Sequence, residues 1–136
     1  DKKTGAVRWT TPRNNGAKLG FSFATPQLLE HGGRRLIVAP ASDHVMAYDP
    51  KDGKEVWRAK YPKPGWSLIT RPVVGHGLVF VCTGYVNQHL IALKPYGTGD
   101  ITGNIVWQTA RNAANTPTPL LAGDELYVLA DNGFFT

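Results

Sequence analysis

The residues of this 136-residue chain best equipped for chemistry are four histidines, one cysteine and a scatter of acids. His44 and His89 each stand three residues before an alanine, Ala47 and Ala92, and His31 and His76 sit in short glycine-containing turns. A zinc site needs about four converging ligands, and equivalent positions of a repeat lie one unit apart. These histidines therefore read as turn residues exposed to water. Cys82 ends an apolar run, Leu78-Val79-Phe80-Val81-Cys82, and with no second cysteine no internal disulfide exists. It reads as a small buried hydrophobe. Asp43, Asp49, Asp52, Asp100, Asp124 and Asp131 fall in turns, without the close oxygen spacing of a calcium cage. No glycine-rich phosphate loop opens a helix, and no helix is evident. The reading is that this segment holds no catalytic, cofactor-binding or metal-ligating residues of its own.

Charge narrows the partners. The net charge is +5, but Lys2, Lys3, Lys51, Lys54, Lys60 and Lys63 lie mostly in turns or at strand ends, as on a solvated surface. A nucleic-acid groove would cluster its basic residues between stacking aromatics. Only Lys60-Tyr61-Pro62-Lys63-Pro64-Gly65-Trp66 faintly resembles that, so nucleic acid is not expected. No apolar run approaches the roughly 18 residues of a membrane helix, and no transmembrane segment is expected. No signal peptide is visible, and the chain reads as beginning within a repeat.

Self-similarity positions these residues. Thr4-Gly5-Ala6-Val7-Arg8-Trp9, Asp52-Gly53-Lys54-Glu55-Val56-Trp57 and Thr102-Gly103-Asn104-Ile105-Val106-Trp107 share one pattern. Trp9 and Trp57 are 48 residues apart, and Trp57 and Trp107 are 50 apart. A second landmark follows each tryptophan: Thr25-Pro26, Arg71-Pro72 and Thr118-Pro119, with prolines 46 and 47 residues apart. Each proline leads to an apolar strand, a glycine turn, a second strand (Leu36-Ile37-Val38, Leu78–Val81, Leu126-Tyr127-Val128) and then a third (Val45–Tyr48, Leu90–Leu93).

Each unit thus holds four short strands, A to D, with proline at the start of A, where a missing N–H does least harm. Asn132-Gly133 suits a two-residue hairpin. Strands B and C, apolar throughout, must be covered on both faces by neighbouring sheets. A period near 48 with four strands per unit is the signature of a propeller blade. The expected fold is all-β: a β-propeller fragment of four-stranded antiparallel blades, about two and a half of them in an open arc. The expected parts are the last strand of a blade at 1–11, full blades at 21–61 and 68–111, and the first half of a blade at 117–136. Such an arc leaves open sheet faces, so the piece alone is expected to associate or to be marginally stable.

The line Ala47-Tyr48-Asp49-Pro50-Lys51-Asp52-Gly53 through Trp57 resembles the tryptophan-docking motif of propellers of the pyrroloquinoline-quinone (PQQ) type, with Asp52 where threonine is usual. The third copy keeps Ala92 and Gly103 through Trp107, but Lys94 replaces its aspartate and five residues, Tyr96 to Asp100, are added. The resemblance covers essentially the whole chain. It implies that Trp9, Trp57 and Trp107 tie blade to blade by packing against Ala47, Ala92 and the glycines Gly5, Gly53 and Gly103. The family contains PQQ- and calcium-dependent alcohol or sugar dehydrogenases. It also contains non-enzymatic propellers such as the lipoprotein scaffold of the outer-membrane β-barrel assembly machine, which is BamB-like. The dehydrogenases often carry a vicinal cysteine pair that is missing here. The resemblance therefore implies a non-catalytic scaffold, periplasmic or otherwise exported. The alternative is a part of a dehydrogenase whose PQQ and calcium site lies largely outside this segment.

In a propeller the D–A loops and B–C turns share one rim. The D–A loops here, 12–23, 61–70 and 111–116, are longer and more polar than the A–B turns, and loops on a rigid scaffold concentrate function. The expected binding rim centres on Trp66, Arg71 and Arg111. Its expected partners are a protein or small ligand, beside the remaining blades of the same chain.

Overall fold

The computed structural model describes all residues, 1–136. Its strands are β1 (Gln27–His31), β2 (Arg34–Ala41), β3 (His44–Tyr48), β4 (Glu55–Lys60), β5 (Val73–Gly75), β6 (Leu78–Cys82), β7 (Leu90–Leu93), β8 (Gly99–Asp100), β9 (Ile105–Thr109), β10 (Leu120–Ala122) and β11 (Glu125–Tyr127). They form two antiparallel four-stranded units, β1-β2-β3-β4 and β5-β6-β7-β9, and the hairpin β10-β11. Strand A of each unit begins one residue after its proline. The A strands follow one another, β1 against β5 and β5 against β10, as innermost strands around an axis do. The chain is a segment of a β-propeller.

Strict alternation explains the packing, because successive side chains of a strand point to opposite faces. Val79, Val81, Ile91 and Leu93 join Val38, Val45, Ala47 and Trp57 in one core between the first two units. Phe80, Cys82, Leu90 and Ala92 point the other way and meet Ala113, Ala114 and Val128. Strand β7 is consequently buried at every position. Both C–D ladders slip by one residue just after the motif alanine, between Ala47 and Tyr48 and between Ala92 and Leu93.

The structure departs from the sequence reading in four places. Asp1–Thr11 forms no strand, because no neighbouring strand in the chain hydrogen-bonds to it. The third C–D turn is not an enlarged copy of the others. Its added residues make β8, which pairs in parallel with β4 (Trp57 with Gly99, Arg58 with Asp100), followed by a 3-10 turn, Thr102–Asn104. One parallel strand pair and one helical turn thus interrupt the antiparallel strand order, and an isolated parallel bridge joins Ser22 to Leu68. The last hairpin uses a three-residue turn in place of a two-residue one. Ala130 N–H donates to Phe134 O at 2.8 Å, and only Gly133 of Asp131-Asn132-Gly133 has positive φ. Nor are the histidines uniformly solvated: His31 and His76 are exposed as expected, but His44 and His89 are half-buried, with His44 Nδ1 unpartnered. His76 Nε2–H donates to Gly123 O (2.8 Å), His89 Nδ1–H donates to Asn87 O (2.9 Å), and His31 stacks on Tyr96.

Candidate functional site

On the rim of D–A loops and B–C turns, local backbone needs bind each loop to a turn. Asn15 Nδ2 donates to Ser42 O (2.7 Å), and Ser42 Oγ donates to Phe21 O (2.8 Å). The tight turn at Asp43 requires φ +64°, a conformation that aspartate tolerates better than most residues. There its carboxylate accepts from Gly65 N–H at 3.1 Å, and its own N–H donates to Gly65 O at 2.9 Å. In the second unit Asn87 Nδ2 donates to Pro64 O (2.8 Å), and Tyr85 N–H donates to Trp66 O (2.9 Å). In the third, Asp131 accepts from Asn115 N–H (2.6 Å) and Thr116 N–H. Burial works against that carboxylate's charge, but these donors outweigh it and hold the Asp131 pKa below the usual aspartate range.

Trp66 lies half-buried on this rim, bridged to Tyr85, and Arg71 and Arg111 are exposed. Arg71 is placed by its backbone N–H, which donates to Thr118 Oγ1 (3.1 Å), and Arg111 by its N–H on Thr109 Oγ1 (3.1 Å). No hydrogen bond joins the three to one another.

The motif residues lie between units. Trp9 covers Gly53. A Cβ on Gly53 would stand 2.3 Å from the indole, and φ there is +71°, so glycine is required on both counts. Trp9 Nε1–H donates to Pro50 O (3.0 Å), and Thr11 Oγ1 donates to Gly53 O (2.6 Å). Trp57 is fully buried beside Ala47 in the ladder, and its Nε1–H has no partner. Nothing lies within 4 Å of where a Cβ on Gly103 would stand, nor on Gly5. Trp107 pairs with Ala92 across the ladder, touches Phe80 (centroids 5.9 Å apart), and is 40 % exposed.

Cys82 is buried among apolar neighbours, and burial pushes its thiol up to about 11 against weaker pulls from Thr70 and Ala114. At neutral pH it is a thiol, not a nucleophilic thiolate. No three His, Cys, Asp or Glu side chains converge in the chain. Calcium takes about six to eight oxygen ligands, and no such cluster of acidic side chains stands within these 136 residues.

The opposite rim holds what the sequence reading missed. A cleft of about 250 Å³ opens between the β1–β2 hairpin and Pro95-Tyr96-Gly97. The five added residues were its visible signal in the sequence, but not its meaning.

Four-stranded sheets, the repeated Gly-to-Trp spacing and A strands running side by side define a propeller built from PQQ-type repeats. The chain belongs to that family: the family described as outer membrane protein assembly factor BamB matches residues 1–133. Over 98 residues the chain is 30 % identical to tetrathionate hydrolase of Acidithiobacillus ferrooxidans. That match covers 70 % of this chain and 19 % of the relative, so the chain spans about a fifth of that protein's length. No helix is long and apolar enough to cross a membrane.

Proposed function

We propose that this segment is a non-catalytic part of a PQQ-type propeller that serves as a scaffold or binding platform. The observation that carries this reading is the rim of locked loops. Its hydrogen bonds are spent on holding D–A loops to B–C turns, while Trp66, Arg71 and Arg111 are left to face a partner. A platform fixed in advance loses little conformational entropy on binding, and tryptophan and arginine are favoured anchors of interfaces. The family description supports a protein partner and a periplasmic or otherwise exported setting. The test is the triple variant Trp66→Ala, Arg71→Ala, Arg111→Ala. Its partner capture should fall by at least about 10-fold, the equivalent of roughly 1.4 kcal/mol. Unchanged capture by a folded triple variant removes the rim from consideration.

The identity to tetrathionate hydrolase favours a second reading, in which the segment belongs to a larger enzyme whose reacting groups lie in other blades. A dehydrogenase with PQQ and calcium is the other enzymatic form of that reading. Assays of the whole protein for tetrathionate hydrolysis, and for quinone absorbance with dye-coupled alcohol oxidation on adding PQQ and calcium, separate these from the scaffold.

A further inference from the structure

We propose that the cleft between the β1–β2 hairpin and Pro95-Tyr96-Gly97 binds a small organic carboxylate with an apolar body, at a site independent of the loop rim. Its floor is apolar: Leu29 and Leu36 are 3 % and 6 % exposed, and Pro95 is buried. Its wall is aromatic. The His31 and Tyr96 rings stand 4.4 Å apart and tilted by 35°. That wall is fixed at its far end, because Tyr96 Oη donates to Gly77 O of the next hairpin at 3.0 Å. The cleft therefore exists before any ligand arrives.

Charge selects the ligand. Arg34 lines this cleft and both depressions that adjoin it. Its side chain makes no hydrogen bond or ion pair within the chain, whereas its neighbour Arg35 is held by Glu30 at 2.9 Å. A guanidinium at the mouth of an apolar-floored cleft suits a planar carboxylate, which it meets with two parallel hydrogen bonds. The neighbouring depressions add Arg35, paired with Glu30, and Lys51 beside Asp49, so with the unpaired Arg34 three cations face two acids and the approach is net positive. At about 250 Å³ the cleft lies just below the usual range for small-molecule pockets and takes a ligand of about one ring.

Within this chain the site occurs at one pair of blades. It needs the insertion that carries Tyr96. At the equivalent hairpin of the second unit, His76 turns to the Gly123 carbonyl and stacks on no ring.

Titrating the protein with phenylacetate, read by amide NMR shifts at Gly32 and Gly97, tests the assignment. Saturable binding with Kd of about 1 mM or tighter is expected. Acetate, without the apolar body, and phenethylamine, with the opposite charge, should each bind at least about 10-fold more weakly. Arg34→Met, an exposed substitution that keeps the stem, should weaken phenylacetate by a similar factor. No saturation by phenylacetate overturns the proposal, as does equal binding of the amine or an unchanged Kd in Arg34→Met. The ligand comparisons on the unsubstituted protein need no variant to fold.

Discussion

The two junctions between blades solve one packing problem by different means. At the first, Trp9 lies over the Gly53 peptide, its indole N–H satisfied by Pro50 and the seam closed by Thr11. At the second, Trp57 is sealed completely, yet its N–H has no acceptor and no ring stands where a Cβ on Gly103 would lie. The insertion supplies instead a backbone ladder, β8 along β4, with Ile101 N–H donating to Arg58 O (2.8 Å) and Lys60 N–H to Thr102 Oγ1 (2.9 Å). A ring on a glycine and a strand on an edge are thus interchangeable closures. The second dispenses with the glycine but leaves a polar atom of the ring stranded.

The largest effect should come from removing the sealed ring. Trp57→Ala is expected to cost about 3–5 kcal/mol, the range for a fully buried aromatic. Trp9→Ala should cost about 1–3 kcal/mol, because its ring is only half-buried and water can refill part of the gap. Thermal and urea melts of both variants measure the gap. Equal losses would erase the distinction between the junctions.

Next in size is a pH effect at the seam between the second and third units. In the unfolded chain Cys82 ionises near 9, and in the fold near 11. The fold keeps its proton longer, so this contribution is fully present below pH 9 and lost as pH rises through 11. It amounts to about 3 kcal/mol. Stability of Cys82→Ala should be lower at neutral pH but flatter across that window. Parallel pH profiles for the two proteins would mean that the thiol is not buried as described.

Glycine substitution comes third and separates the junctions most directly. Gly53→Ala places a Cβ into the Trp9 ring and strains a positive φ, for a loss of about 2–3 kcal/mol. Gly103→Ala meets open space at an ordinary φ and should stay within about 0.5 kcal/mol. Comparable losses at both sites would show that Gly103 docks a ring after all.

Legibility in the sequence followed the repeat. Where three copies agree, as in proline before strand A and Trp after Gly, the strands and their alternating burial could be read directly. Where one copy departs, the consequence could not. Five extra residues announce a longer turn, but parallel pairing to β4 depends on an edge brought close by the previous blade, and the cleft beside Tyr96 depends on His31, 65 residues away in the chain. The rim residues were legible as loop residues. The hydrogen bonds that freeze those loops, such as Asp43 to Gly65, involve turn chemistry whose partner lies on another loop and leaves no local mark.

The smallest effect probes the stranded N–H itself. Trp57→Phe removes the unpartnered donor, whose burial costs about 1–3 kcal/mol, while losing ring volume worth a similar amount in packing. The two nearly cancel, so the variant should lie within about 1 kcal/mol of the original. Trp9→Phe has no such compensation, since it deletes a donor that serves Pro50, and should cost about 1 kcal/mol or slightly more. A Trp57→Phe loss as large as that of Trp57→Ala would mean that the indole N–H is satisfied, for instance by a bound water. The insertion would then close the second junction as completely as the glycine closes the first.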